Sequence, residues 1–200
     1  MPGRQLCNMK KIPLLLVWCR LLLGFLILAG SFYAVPYWRI YALTGLALGL
    51  LTDVFDGILA RRMGVDTEHL RRLDSAVDLL FFLAVGLALA VQSFGFFREH
   101  AVEMVWLLGA EALTYLVGFL KFRKEMALHT WGAKLWSVVL VVTLAQLIWM
   151  GEAPVLFAIC FWVGIITRGE MLLLVLVLQK WAHDVPHVGA ALRLSRTHKG

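Results

Sequence analysis

Asp53-Val54-Phe55-Asp56-Gly57-Ile58-Leu59-Ala60-Arg61 is followed by Leu73-Asp74-Ser75-Ala76-Val77-Asp78, and both stretches lie in long apolar runs. The aspartates are spaced i,i+3 and i,i+4, which places each pair on one face of a helix. A carboxylate inside an apolar span is costly and marks function by default. The two segments are joined around residues 65–66, where Gly64 and Asp66 break the apolar pattern. In an antiparallel hairpin centred there, Asp53 would face Asp78 and Asp56 would face Asp74. All four would then meet two to three turns below one end, roughly 13–19 Å at 1.5 Å per residue. Four converging carboxylates repel unless cations neutralise them, and hard oxygen ligands in that number suit Mg²⁺, Mn²⁺ or Ca²⁺.

The rest of the chain sets the frame for that centre. Its 200 residues are 61% hydrophobic and 16% charged, the composition of a polytopic membrane domain with little room for a soluble module. Six spans are expected, at about 13–33, 38–61, 70–93, 101–120, 131–150 and 154–180, each near the ~20 residues that cross a bilayer. The fold class is therefore all-α, with residues 1–182 as one six-helix membrane domain and 183–200 as a short polar tail. The first apolar run has a basic front, as a signal peptide would. It also contains Arg20 and is long enough to span, so a retained first helix is expected.

Basic residues cluster on alternate connections. One side carries Arg4, Lys10, Lys11, Arg61, Arg62, Arg71, Arg72, Lys121, Arg123, Lys124 and Lys180, and the other little beyond Arg39 and Arg98. The basic side, with both termini and the aspartate site, is expected in the cytoplasm. The net charge of +6 is thus positive-inside anchoring and gives no sign of nucleic acid. Trp38, Trp131 and Trp181 suit an interfacial belt. Cys7, Cys19 and Cys160 follow no metal spacing and read as free thiols.

On the second helix Gly45, Gly49, Asp53, Asp56/Gly57 and Ala60 form one stripe. Small residues allow close approach of a helix or a ligand. Packing is favoured for Gly45 and Gly49, and ligand approach for Gly57. Arg20 and Arg168 either line a pocket or pair with an intramembrane acid such as Glu111 or Glu170, and pairing is favoured.

These residues resemble the signature of the CDP-alcohol phosphotransferase family: Asp53, Asp56, Gly57, Ala60, Arg61, Asp74 and Asp78 stand at the family's spacing. Ile12-Pro13 with Arg20 to Gly24 resembles its first helix, and Arg168 with Glu170 its late Arg-x-Glu. Leu70 stands where the family's second glycine falls. The resemblance implies transfer of a substituted phosphate from a CDP-linked donor, here CDP-diacylglycerol, to an alcohol with release of CMP. It implies two divalent ions, Mg²⁺ or Mn²⁺, on Asp53, Asp56, Asp74 and Asp78. Asp78 would also serve as general base. Gly57, Ala60 and Arg61 would hold the nucleotide, and a homodimer is expected. Lys134 and Arg123 are the acceptor-binding candidates, with glycerol 3-phosphate or an inositol derivative as acceptor. Two other classes remain open: a divalent-cation transporter using the acidic cluster, and a catalytically silent homologue.

Overall fold

A computed structural model describes residues 12–33, 35–63, 67–122 and 131–177. These form seven helices and no strand: α1 (Ile12–Phe32), α2 (Trp38–Arg62), α3 (Glu68–Gln92), α4 (Phe94–Glu99), α5 (Ala101–Phe122), α6 (Trp131–Met150) and α7 (Pro154–Val177). All except α4 are long and apolar enough to cross a membrane, and the chain is a multi-pass membrane protein. In hydrocarbon only a helix satisfies its own backbone, so uninterrupted apolar runs have no other folded option. Their outward faces stay apolar and exposed: Trp18, Leu22 and Phe25 on α1, Val54 and Phe55 on α2.

The chain divides into two compact units. The first holds α1, α2 and α3 together with 144–151. Here α1 packs along both α2 and α3, and among the described residues α2 and α3 make no comparable contact with each other. The simple hairpin expected from the sequence is therefore corrected: the first helix is the common neighbour. Its buried positions Val17, Arg20, Gly24, Ile27 and Ser31 repeat every three to four residues, a helical stripe. Glycine allows the close fit. A Cβ on Gly24 would stand 3.1 Å from the Phe81 ring, and one on Gly45 would stand 2.8 Å from Ile27. A Cβ on Gly49 would run into the same Phe81 ring. Gly45 and Gly49 are thus packing glycines.

The ends of these helices are fixed by polar contacts. Thr67 caps α3, its hydroxyl accepting from the Leu70 amide at 3.2 Å, which satisfies one of the unpaired first-turn amides. Gln92 Nε2 donates to the Ser31 carbonyl at 2.8 Å. Trp38, at the start of α2, is buried, and its indole donates to the Ile27 carbonyl at 3.4 Å. Trp131 is 71% exposed, and Trp181 lies outside the described residues.

The second unit holds α5, α7 and the 131–143 part of α6, with α5 packed on α7. Gly151, at φ +82°, makes the sharp turn after α6 in a backbone conformation glycine adopts without strain. Lys121 Nζ donates to the carbonyls of Val175 and Leu176 at 2.9 and 2.8 Å, closing the end of α7.

Candidate active site

The site is built on the first unit. Asp53 and Asp56 lie on the last turns of α2, Asp74 and Asp78 on the first turns of α3, and Arg20 two turns into α1. Alternating helix directions bring these five residues to one depth. One carboxylate oxygen from each of Asp53, Asp56 and Asp74 lies within 4.8 Å of the others. Oxygens bound to one hard divalent ion at ~2.0–2.6 Å are at most about 5 Å apart, so this donor set fits such an ion. Asp78 is outside that group of three.

All four aspartates meet Arg20. Its Nη1 lies 3.1 Å from Asp53 Oδ1 and 3.0 Å from Asp74 Oδ1, and it also pairs with Asp78 Oδ1. Nη2 pairs with Asp56 Oδ2. The arginine side chain is 1% exposed and that of Asp56 4%, whereas Asp53 is 42% exposed. The centre is therefore closed towards α1 and open on the Asp53 side. Sequence reasoning gave Arg20 an acid partner but looked to Glu111 or Glu170. The signal was present in the stripe Val17–Arg20–Gly24, whose only charge sits at the depth of the aspartates.

Other expected residues fall as follows. A Cβ on Gly57 would meet nothing within 4 Å, in contrast to Gly45 and Gly49 on the same helix. Ala60 and Arg61 continue α2, and their side chains lie outside what is described. Arg123 and the 183–200 tail also lie outside the described residues. Lys134 belongs to the second unit, exposed, with Nζ 5.1 Å from the Trp131 ring centre. There Arg168, one of two buried arginines among the described residues, pairs through Nε and Nη2 with Glu111 Oε2 and stacks over Trp136 with its guanidinium carbon 3.7 Å from the ring centre. Pairing, the favoured reading for this arginine, is what the structure has. Cys19 and Cys160 are free thiols.

The centre is thus a cluster of carboxylates and one buried guanidinium set in apolar helices of a membrane protein. The sequence from residue 10 to 187 matches the CDP-alcohol phosphatidyltransferase family. The chain belongs to that family, whose members are transferases of substituted phosphate groups that use divalent cations. No curated protein and no solved structure matches the chain.

Proposed function

We propose that this protein transfers the phosphatidyl group of CDP-diacylglycerol to an alcohol and releases CMP, as a step of phospholipid synthesis. The observation that carries this reading is the convergence of Asp53, Asp56 and Asp74 oxygens within 4.8 Å inside the family's signature. Asp53, Asp56 and Asp74 would hold divalent ions, with Asp78 completing a second position. Bound Mg²⁺ or Mn²⁺ would neutralise the diphosphate and the charge that develops on the departing CMP.

The chain's own residues supply the rest. Asp78 accepts the proton of the acceptor hydroxyl as its oxygen bonds to phosphorus and the bond from phosphorus to the CMP oxygen breaks. That oxygen leaves with the electron pair. Asp78 must let go of Arg20 to do so. Gly57 lets the nucleotide lie against α2, since no neighbour fills the space beside it. Arg61 holds the nucleotide end by charge. Lys134 and Arg123 would attract a phosphorylated acceptor, with glycerol 3-phosphate or an inositol derivative the leading choices.

A transporter reading finds less support. Above the aspartates the α2 face continues as Gly49 and Gly45, against Phe81 and Ile27, which offer no ligand to a passing cation. The test is incubation of purified protein with labelled CDP-diacylglycerol, Mg²⁺ or Mn²⁺ and a panel of alcohols. Acceptor-dependent CMP release is expected. Divalent-ion flux in proteoliposomes without any CMP release would decide for the transporter. Absence of both activities in folded protein would favour the silent homologue.

We further place the site and the 62–69 connection on the cytoplasmic side, on the strength of the basic residues. Single cysteines in that connection should resist a membrane-impermeant thiol reagent in intact cells, and ready labelling would reverse the orientation. A homodimer is proposed from the family alone and is checked by the mass of the purified protein.

A further inference from the structure

Among the described residues Arg20 is the guanidinium that meets all four aspartates, and the arithmetic of its donors is unfavourable. Nη1 carries two N–H bonds yet faces three carboxylates, those of Asp53, Asp74 and Asp78. Nη2 faces Asp56, and Nε is buried with no hydrogen-bond partner. One guanidinium thus spans four carboxylates, and the fork cannot give each of them a well-formed bond. Its position is nonetheless fixed. The side chain is 1% exposed, on the α1 stripe that contacts both other helices.

We propose that Arg20 is the resident counter-cation of the aspartate site and that divalent ions compete with it for the same carboxylate oxygens. The proposal rests on the metal reading above. In the ion-free protein the guanidinium would restrain mutual repulsion of the carboxylates and tie α2 and α3 to α1. A divalent ion brings twice the charge to the oxygens at shorter range, so the guanidinium gives up those contacts as ions bind. Arg20 is then a positioning residue. It keeps α2 and α3 docked on α1 when no ion is bound, and it lowers ion affinity by occupying the oxygens first.

Competition and simple ligand support predict opposite signs. Mn²⁺ binding to the detergent-solubilised full chain, read from the free-Mn²⁺ signal in electron paramagnetic resonance, separates them. Arg20→Met keeps length and removes charge and donors. Its Kd for Mn²⁺ should fall about tenfold or more, equivalent to ~1.4 kcal/mol per tenfold. Arg20→Lys keeps the charge without the fork and should fall between wild type and Arg20→Met. In EDTA the Met variant should melt well below wild type, and Mn²⁺ should close most of that gap. An unchanged or weaker Mn²⁺ affinity in a folded Arg20→Met protein overturns the proposal while leaving the metal site standing. No Mn²⁺ binding by the wild type overturns the metal reading itself.

If Arg20→Met does not fold, wild-type protein labelled with ¹⁵N-arginine decides the matter. Buried, ion-paired guanidinium groups exchange slowly, and Arg20 and Arg168 are buried and paired. Saturating Mg²⁺ should shift one such set of resonances and leave the other. Two unmoved sets would overturn the proposal.

Discussion

Each unit of this protein buries an arginine in a transmembrane helix, and the two solve the problem differently. Arg168 meets one acid, Glu111, and lies on the face of Trp136. Charge is balanced there, and the ring accepts the remaining positive potential. Arg20 meets four acids, so carboxylates outnumber it among the described contacts. A one-to-one pair needs no further charge and serves the fold, although Arg168 Nη1, like Arg20 Nε, is buried without a hydrogen-bond partner. A centre richer in carboxylates than in guanidinium has room for further cations, which is the basis of the proposal that it is a site and the Arg168 pair a strut.

The largest expected effect tests the unbalanced centre. Asp56→Asn should reduce CMP release to near background while the protein still inserts, and EDTA should do the same to wild type reversibly. Full activity of either would remove the basis of the comparison. In the balanced pair, Arg168→Met should act on stability. It leaves Glu111 without its partner, a loss of roughly 3 kcal/mol, at the low end for a buried pair because Glu111 is partly exposed. The double replacement Arg168→Met with Glu111→Met should recover most of it, and Mn²⁺ affinity should not move. A large change in Mn²⁺ binding in Arg168→Met would show that the two arginines are not separate in function.

Glycines sharpen the contrast within α2. Gly49→Ala drives a Cβ into the Phe81 ring and should cost about 1–3 kcal/mol by overpacking. Gly57→Ala meets nothing within 4 Å and should gain up to ~1 kcal/mol of helix stability. Its KM for CDP-diacylglycerol should nonetheless rise. Equal melting temperatures for the two variants would break the distinction between packing and ligand glycines.

The smallest effect concerns Leu70. If its side chain crowds the nucleotide, Leu70→Gly should lower donor KM a few-fold. Stability should drop by less than ~1 kcal/mol, because the residue lies in the first turn of α3. The Thr67 cap uses the Leu70 backbone amide and survives the change. A higher KM in folded protein would make Leu70 a contact instead.

Much of this was legible in the chain. Long apolar runs specify membrane helices directly, because length and composition are local properties. The carboxylate convergence followed from two helical spacings about one turn. Non-local packing was hidden. Nothing in the α2 and α3 sequences says that α1 is their shared neighbour, so Arg20 was given the wrong acids. Trp38 was read from its type and place near a helix end, which gave no hint that its indole would donate to the Ile27 carbonyl. α4 has six residues, too few for a periodic pattern to stand out. Gly57 was separated from Gly45 and Gly49 because its neighbour is an aspartate, and the structure leaves open space beside it while the other two are packed.

The order in which a ribosome delivers these helices gives Arg20 one more consequence. α1 is made first and reaches the translocon before any of the four aspartates exists. At that moment its arginine has no counter-charge, which disfavours insertion by roughly 2.5–3.5 kcal/mol near a helix centre. The apolar remainder of Pro13–Phe32 must then carry the segment into the bilayer. Biogenesis of the first unit thus passes through a stage in which a lone cation waits in the membrane for α2 and then α3, and the acidic centre closes around it only when both have been synthesised.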